Sequence, residues 1–81
     1  MDNENFGYAG GPIPSGASVA GNVAYAMAYQ ATHTKEETIL WFRQQVQNKG
    51  IWDYKQNWKE YENFGNFNYG AVGTALGMSE V

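Results

Sequence analysis

The side chains able to do chemistry crowd into one short stretch of an 81-residue chain, between Trp52 and Tyr69. Asp53, Lys55, Asn66 and Asn68 form the candidate catalytic set. Asp53 acts as a general acid or base if Trp52 and Tyr54 desolvate its carboxyl. Lys55 can hold an anionic group, and the amides of Asn66 and Asn68 can face a carbonyl, a sugar hydroxyl or a phosphate oxygen. Trp52, Tyr54, Gln56 and Tyr69 complete the set as substrate-binding candidates, because flat rings beside amides suit a sugar or a base. A plainer reading stays open for each polar group. Asn66 and Asn68 can tie off loop backbone, Asp53 can cap a short helix, and Lys55 can be merely solvated. Glycoside hydrolysis needs a second carboxylate. Glu37, Glu60 and Glu62 are the partners available to Asp53.

Other chemistries are closed off by composition. The chain has no cysteine and one histidine, His33, which rules out a disulfide framework, a thiol nucleophile and a His-rich metal site. No HExxH or EF-hand pattern is present, so neither a metal nor a cofactor is expected. Residues 65–70, Gly-Asn-Phe-Asn-Tyr-Gly, lack the Gly-Lys-Ser/Thr ending of a phosphate loop. Five basic residues against eight acidic ones give a net charge of −3. Lys35, Arg43, Lys49, Lys55 and Lys59 form no basic stripe of the kind that nucleic-acid binding draws on.

The elements that must position these residues are helical. Residues 1–17 hold Gly-Gly-Pro-Ile-Pro-Ser-Gly and carry no period, which predicts a flexible Gly/Pro arm. Residues 18–81 form the single domain. Alanine-rich sequence with Val19, Val23 and Met27 four apart predicts a helix over about 22–32, with Asn22 a candidate N-cap. Thr34-Lys-Glu-Glu37 is a capping box and starts a second helix over about 35–48. Val23, Ile39, Leu40, Phe42 and Val46 are the expected core. Asn48-Lys-Gly50 ends that helix, with Gly50 free to turn left-handed. Seven of the residues in 51–70 are aromatic and keep no single period. That stretch predicts a short helix near 54–62, a loop between Gly65 and Gly70, and a last helix near 70–77. The expected class is mainly α: a small single-domain helical fold with long ring-rich loops.

Two segments carry a resemblance. Residues 48–56, Asn-Lys-Gly-Ile-Trp-Asp-Tyr-Lys-Gln, and 64–70, Phe-Gly-Asn-Phe-Asn-Tyr-Gly, resemble the bacterial polymorphic toxin type 44 domain. The likeness runs over about residues 22–81. It implies a C-terminal toxin domain of secreted effectors used against competing bacteria. It also implies delivery into a target bacterium and a cognate immunity protein as partner. Family members continue beyond the Gly70 region with further helical and polar sequence, so the domain is expected to be truncated at its C-terminus.

Three functional classes follow. The first is a hydrolase acting on peptidoglycan, favoured by the acidic, ring-rich composition. The second is a nuclease acting on RNA, which the charge disfavours. The third is a non-catalytic remnant or partner-binding fragment of a larger toxin. Self-association, or association with missing C-terminal sequence, is expected because a small ring-rich domain leaves apolar surface uncovered. No segment approaches the roughly 18–20 apolar residues of a membrane span, so no membrane insertion is expected. Acidic residues near Met1 argue against a signal peptide in this chain.

Overall fold

The computed structural model describes residues 4–78. It is mainly helical and forms one small domain, as the sequence predicts. Helix α1 spans Val19–Ala31, α2 Lys35–Val46 and α3 Glu62–Ala75. Two single turns of 3-10 helix, Tyr54–Gln56 and Lys59–Tyr61, lie between α2 and α3. Helix α1 packs chiefly against α3 and also meets α2.

The start of α1 is set three residues earlier than predicted. Ser18, not Asn22, is the N-cap, and its Oγ accepts the Gly21 N–H at 2.9 Å. The N–H groups of Val19, Ala20 and Gly21, which the helix ladder leaves open, all find acceptors. Asn5 Oδ1 accepts from Val19 at 2.7 Å, and the Glu4 carbonyl accepts from Ala20 at 2.7 Å. The Ser18 carbonyl accepts from Asn22 at 3.0 Å. Two of the three acceptors come from the arm, and the Ser18–Asn22 bond is the first of the helix's own ladder. From Glu4 onward the arm is seated on the body by specific contacts. Tyr8 meets Phe64 edge-on at 5.5 Å and Phe67 at 4.9 Å, and the Asn63 amide donates to the Gly10 carbonyl.

The capping box of α2 forms as read. Thr34 Oγ1 accepts the Glu37 N–H at 3.1 Å, and the Glu37 carboxylate accepts the Thr34 N–H at 2.8 Å. The buried face of α2 is turned by one residue from the predicted one. Thr38 and Phe42 are buried, whereas Leu40 is exposed. Ile39, Val46 and Val23 are half-buried. Thr38 tolerates burial because its hydroxyl donates to the Thr34 carbonyl at 2.9 Å. On α1, Val19 and Ala26 face the core and Met27 is exposed.

The largest correction concerns 62–75. The predicted loop between Gly65 and Gly70 is helix, and the predicted helix near 70–77 is only its second half. The helix expected near 54–62 is reduced to the two 3-10 turns. Phe64, Asn68, Val72 and Leu76 follow one another at intervals of four, and all four are buried. That stripe gives α3 a packed face, which outweighs the roughly 1 kcal/mol each helical glycine costs relative to alanine. A complete Schellman motif ends the helix. Gly77 is left-handed at φ +83, its N–H donates to Thr74, and the Met78 N–H donates to Gly73. The Gln30 amide of α1 covers the Leu76 carbonyl at 2.9 Å.

Candidate functional site

The site is built on the connection from α2 to α3. Chain reversal after Gln47 depends on Lys49, which takes the left-handed conformation at φ +67. The sequence assigns that conformation to Gly50, but Gly50 serves another purpose. A Cβ there would lie 2.5 Å from the carbonyl oxygens of Gln44 and Gln45. Its bare Cα lets the returning chain press against the end of α2, where the Trp52 N–H donates to Gln45 at 2.7 Å. Trp52 is thereby buried, edge-on to Trp41 at 5.6 Å.

Asp53 closes the loop. Its Oδ2 accepts the Lys49 N–H at 2.7 Å, and its Oδ1 pairs with Lys55 Nζ at 3.0 Å. Lys55 also donates to Asn48 Oδ1 at 3.2 Å. The Asp53 side chain is only 7% exposed, so both oxygens sit in a sheltered clasp. The Lys49 N–H, followed by the Lys55 ammonium, holds the Asp53 carboxyl below its ordinary range. Asp53 is therefore held ionised. As N-cap of the first 3-10 turn it makes no side-chain capping bond, because Oδ2 reaches back to Lys49 and Oδ1 is taken by the Lys55 ammonium.

One pocket of about 100 Å³ gathers most of the candidate residues. Asp53, Lys55 and Asn66 line it together with Trp52, Tyr54 and Tyr69. Glu62 and Gly65, from the first turns of α3, and Val46 complete the wall. Asn66 is exposed on α3, one turn from Glu62. Tyr54 rests edge-on against Phe64 at 5.0 Å, and Tyr69 leans on Phe42 at 5.3 Å. Burial raises the Tyr54 phenol above its ordinary value, and the hydrogen bond from Asn22 offsets part of that.

Two candidates lie elsewhere. Asn68 is fully buried in the α1–α3 interface, where its Oδ1 accepts from Asn22 Nδ2 at 2.9 Å. The same Asn22 nitrogen donates to the Tyr54 hydroxyl at 2.9 Å. Asn68 is thus a core residue out of reach of a substrate, and its own Nδ2 has no partner among the described residues. Gln56 is exposed and lines an open outer groove of about 530 Å³ with Asn48, Lys49 and Lys59. Asp53, Lys55 and Glu62 border both that groove and the pocket. Glu62 enters the sequence reading only as one possible partner of Asp53. Its place in the pocket follows from α3 beginning at residue 62, which the glycines of 65 and 70 conceal.

Acid should loosen this connection. The Thr34 N–H lowers the Glu37 carboxyl much as Lys49 lowers Asp53. Groups depressed in the folded state contribute stability above their unfolded pKa and lose it as pH falls through the folded one. Melting midpoints should therefore fall on acidification below about pH 4. Asp53→Asn and Glu37→Gln should each flatten that acid limb; a limb as steep as the parent's in both variants contradicts the assignment.

Among the described residues no group of acidic and histidine side chains is placed to hold a metal ion, and no helix is long and apolar enough to cross a membrane. No protein-family model, curated protein or solved structure matches the chain.

Proposed function

We propose that the chain is a toxin effector domain of interbacterial competition that hydrolyses peptidoglycan at the pocket between the α2–α3 connection and α3. The observation that carries this reading is convergence. The two segments that resemble the toxin family, far apart in local structure, contribute Asp53, Lys55 and Asn66 to one pocket with three rings. Two carboxylates, Asp53 and Glu62, line that pocket, the number that glycoside hydrolysis needs. Asp53, held ionised, serves as the base or as the anion that stabilises positive charge developing on the sugar. Glu62 is the second carboxylate of the pocket, exposed and with a side chain that makes no hydrogen bond or ion pair among the described residues. Asn66 presents an exposed amide to a sugar substituent, and the rings of Trp52, Tyr54 and Tyr69 offer apolar faces. RNA fits less well, because the pocket holds two carboxylates against the single cation Lys55. Delivery into a target bacterium and neutralisation by a cognate immunity protein belong to the same reading.

Expression in a bacterial host, directed once to the periplasm and once to the cytoplasm, tests it. Killing is expected in the periplasm only, with release of soluble fragments from purified peptidoglycan. Asp53→Ala and Asn66→Ala should each abolish both effects with the helical signal retained. Asn66 is exposed, so its variant separates chemistry from folding. Killing confined to the cytoplasm would replace the cell wall by nucleic acid. Full toxicity of both variants would remove the site.

A further inference from the structure

Two grooves share lining residues with the pocket. It shares Trp52 with an inner groove of about 260 Å³ lined by Asn22, Tyr25, Trp41, Gln45 and Ile51. It shares Asp53, Lys55 and Glu62 with the outer groove that reaches Gln56 and Lys59. The inner groove differs from the pocket and the outer groove because no ionisable acid or base side chain other than the Tyr25 phenol lines it. Two of its apolar residues are open, Tyr25 at 64% exposed and Ile51 at 74%, while Trp41 is half-buried and Trp52 buried. Its rings are also fixed in advance. Tyr25 stacks on Trp41 at 5.8 Å and 17°, and Tyr29 stacks on Trp41 at 4.5 Å and 12°. A ligand settling there orders little that is not already ordered.

We propose that this inner groove is a second subsite, taking a neighbouring N-acetylhexosamine unit of the glycan strand whose cleavage is assigned to the pocket. The proposal rests on that peptidoglycan reading. A sugar ring presents an apolar face to Tyr25, Trp41 and Ile51, and a rim of donors to amide oxygens. The side-chain oxygens of Asn22 and Gln45 accept no hydrogen bond among the described residues, while their nitrogens are engaged with Tyr54 and Asn68 and with the Trp41 carbonyl. An uncharged groove suits a neutral sugar and offers a phosphate backbone nothing. Groove and pocket share Trp52 in their linings, so a strand engaging both would have each bound unit raise the effective concentration of the next.

Calorimetric titration of the full chain with N-acetylglucosamine oligomers of two to six units tests this. Affinity should climb with oligomer length. Tyr25→Ala should weaken the longest oligomer about tenfold, the loss expected for one aromatic contact, and leave the shortest unchanged. Ile51→Asn, at a position equally open, should act in the same direction, and melting midpoints of both variants should match the parent. If neither variant changes affinity at any length while Asn66→Ala does, the subsite is overturned and the pocket reading stands. If no oligomer binds the parent chain, both fall together. If Tyr25→Ala instead abolishes self-association seen by sedimentation and leaves glycan affinity intact, the groove serves a second copy and the subsite is overturned.

Discussion

Phe64→Ala should cost the chain a large part of its stability at 25 °C. Phe64 is fully buried on α3 and takes edge contacts from Tyr8 of the arm and Tyr54 of the site connection. Truncating a buried Phe costs about 3–5 kcal/mol, through lost transfer energy and the cavity left behind. A domain of this length is held by roughly 4–12 kcal/mol in all. The loss should be worse than a single cavity suggests, because the same ring joins three segments distant in sequence. Circular dichroism and a denaturant midpoint measure it. Phe64→Leu, which keeps most of the volume, should remain folded with a lowered midpoint. A Phe64→Ala midpoint close to the parent's would mean that α3 is not held by this face.

Gly50→Ala should uncouple the site from the fold. The new methyl would sit 2.5 Å from two backbone oxygens at the end of α2, neither of which can swing aside as a side chain can. Overpacking of this kind costs about 1–3 kcal/mol where the structure survives by shifting. The shift falls on the connection, since the Trp52 N–H is bonded to the Gln45 carbonyl directly beneath Gly50. The proposed peptidoglycan release should be lost while most helical signal remains. Lys49→Gly is the informative companion. Lysine holds a left-handed conformation there, at a cost of about 1–2 kcal/mol that glycine avoids. That variant should melt higher than the parent, and a Gly50→Ala chain with full activity would show that the close approach is dispensable.

How far the sequence foretells this structure depends on which signal each element uses. Helix α2 announces itself because its start is chemical: Thr34 and Glu37 exchange hydrogen bonds in a way few other spacings allow. Helix α3 hides because its buried stripe includes an asparagine and its solvent side includes glycines. Phe64, Asn68, Val72 and Leu76 keep a four-residue period only if Asn68 is allowed into the core, and that depends on Asn22 arriving from α1. Asn68 is misplaced among the catalytic candidates for the same reason: a lone polar residue in a ring-rich stretch looks like a ligand contact until its partner, 46 residues away, is in view. The convergence of Asp53, Lys55 and Asn66 was legible from motif proximity. The clasp on Asp53 was not, because a backbone N–H presented by a left-handed lysine leaves no mark in residue types.

The borrowed acceptors at the start of α1 give the molecule an internal gauge. The Val19 amide hydrogen is held by the Asn5 side chain, fourteen residues upstream, and the Ala20 amide by the Glu4 carbonyl. Neither proton is protected by the helix's own ladder. Their rates of exchange with deuterated solvent therefore count how often the first residues of the arm let go, separately from the opening of α1 itself, which the amides from Val23 onward record. A tag, a proteolytic nick or a bound partner acting on the arm would register at those two protons before it registered anywhere in the melting curve.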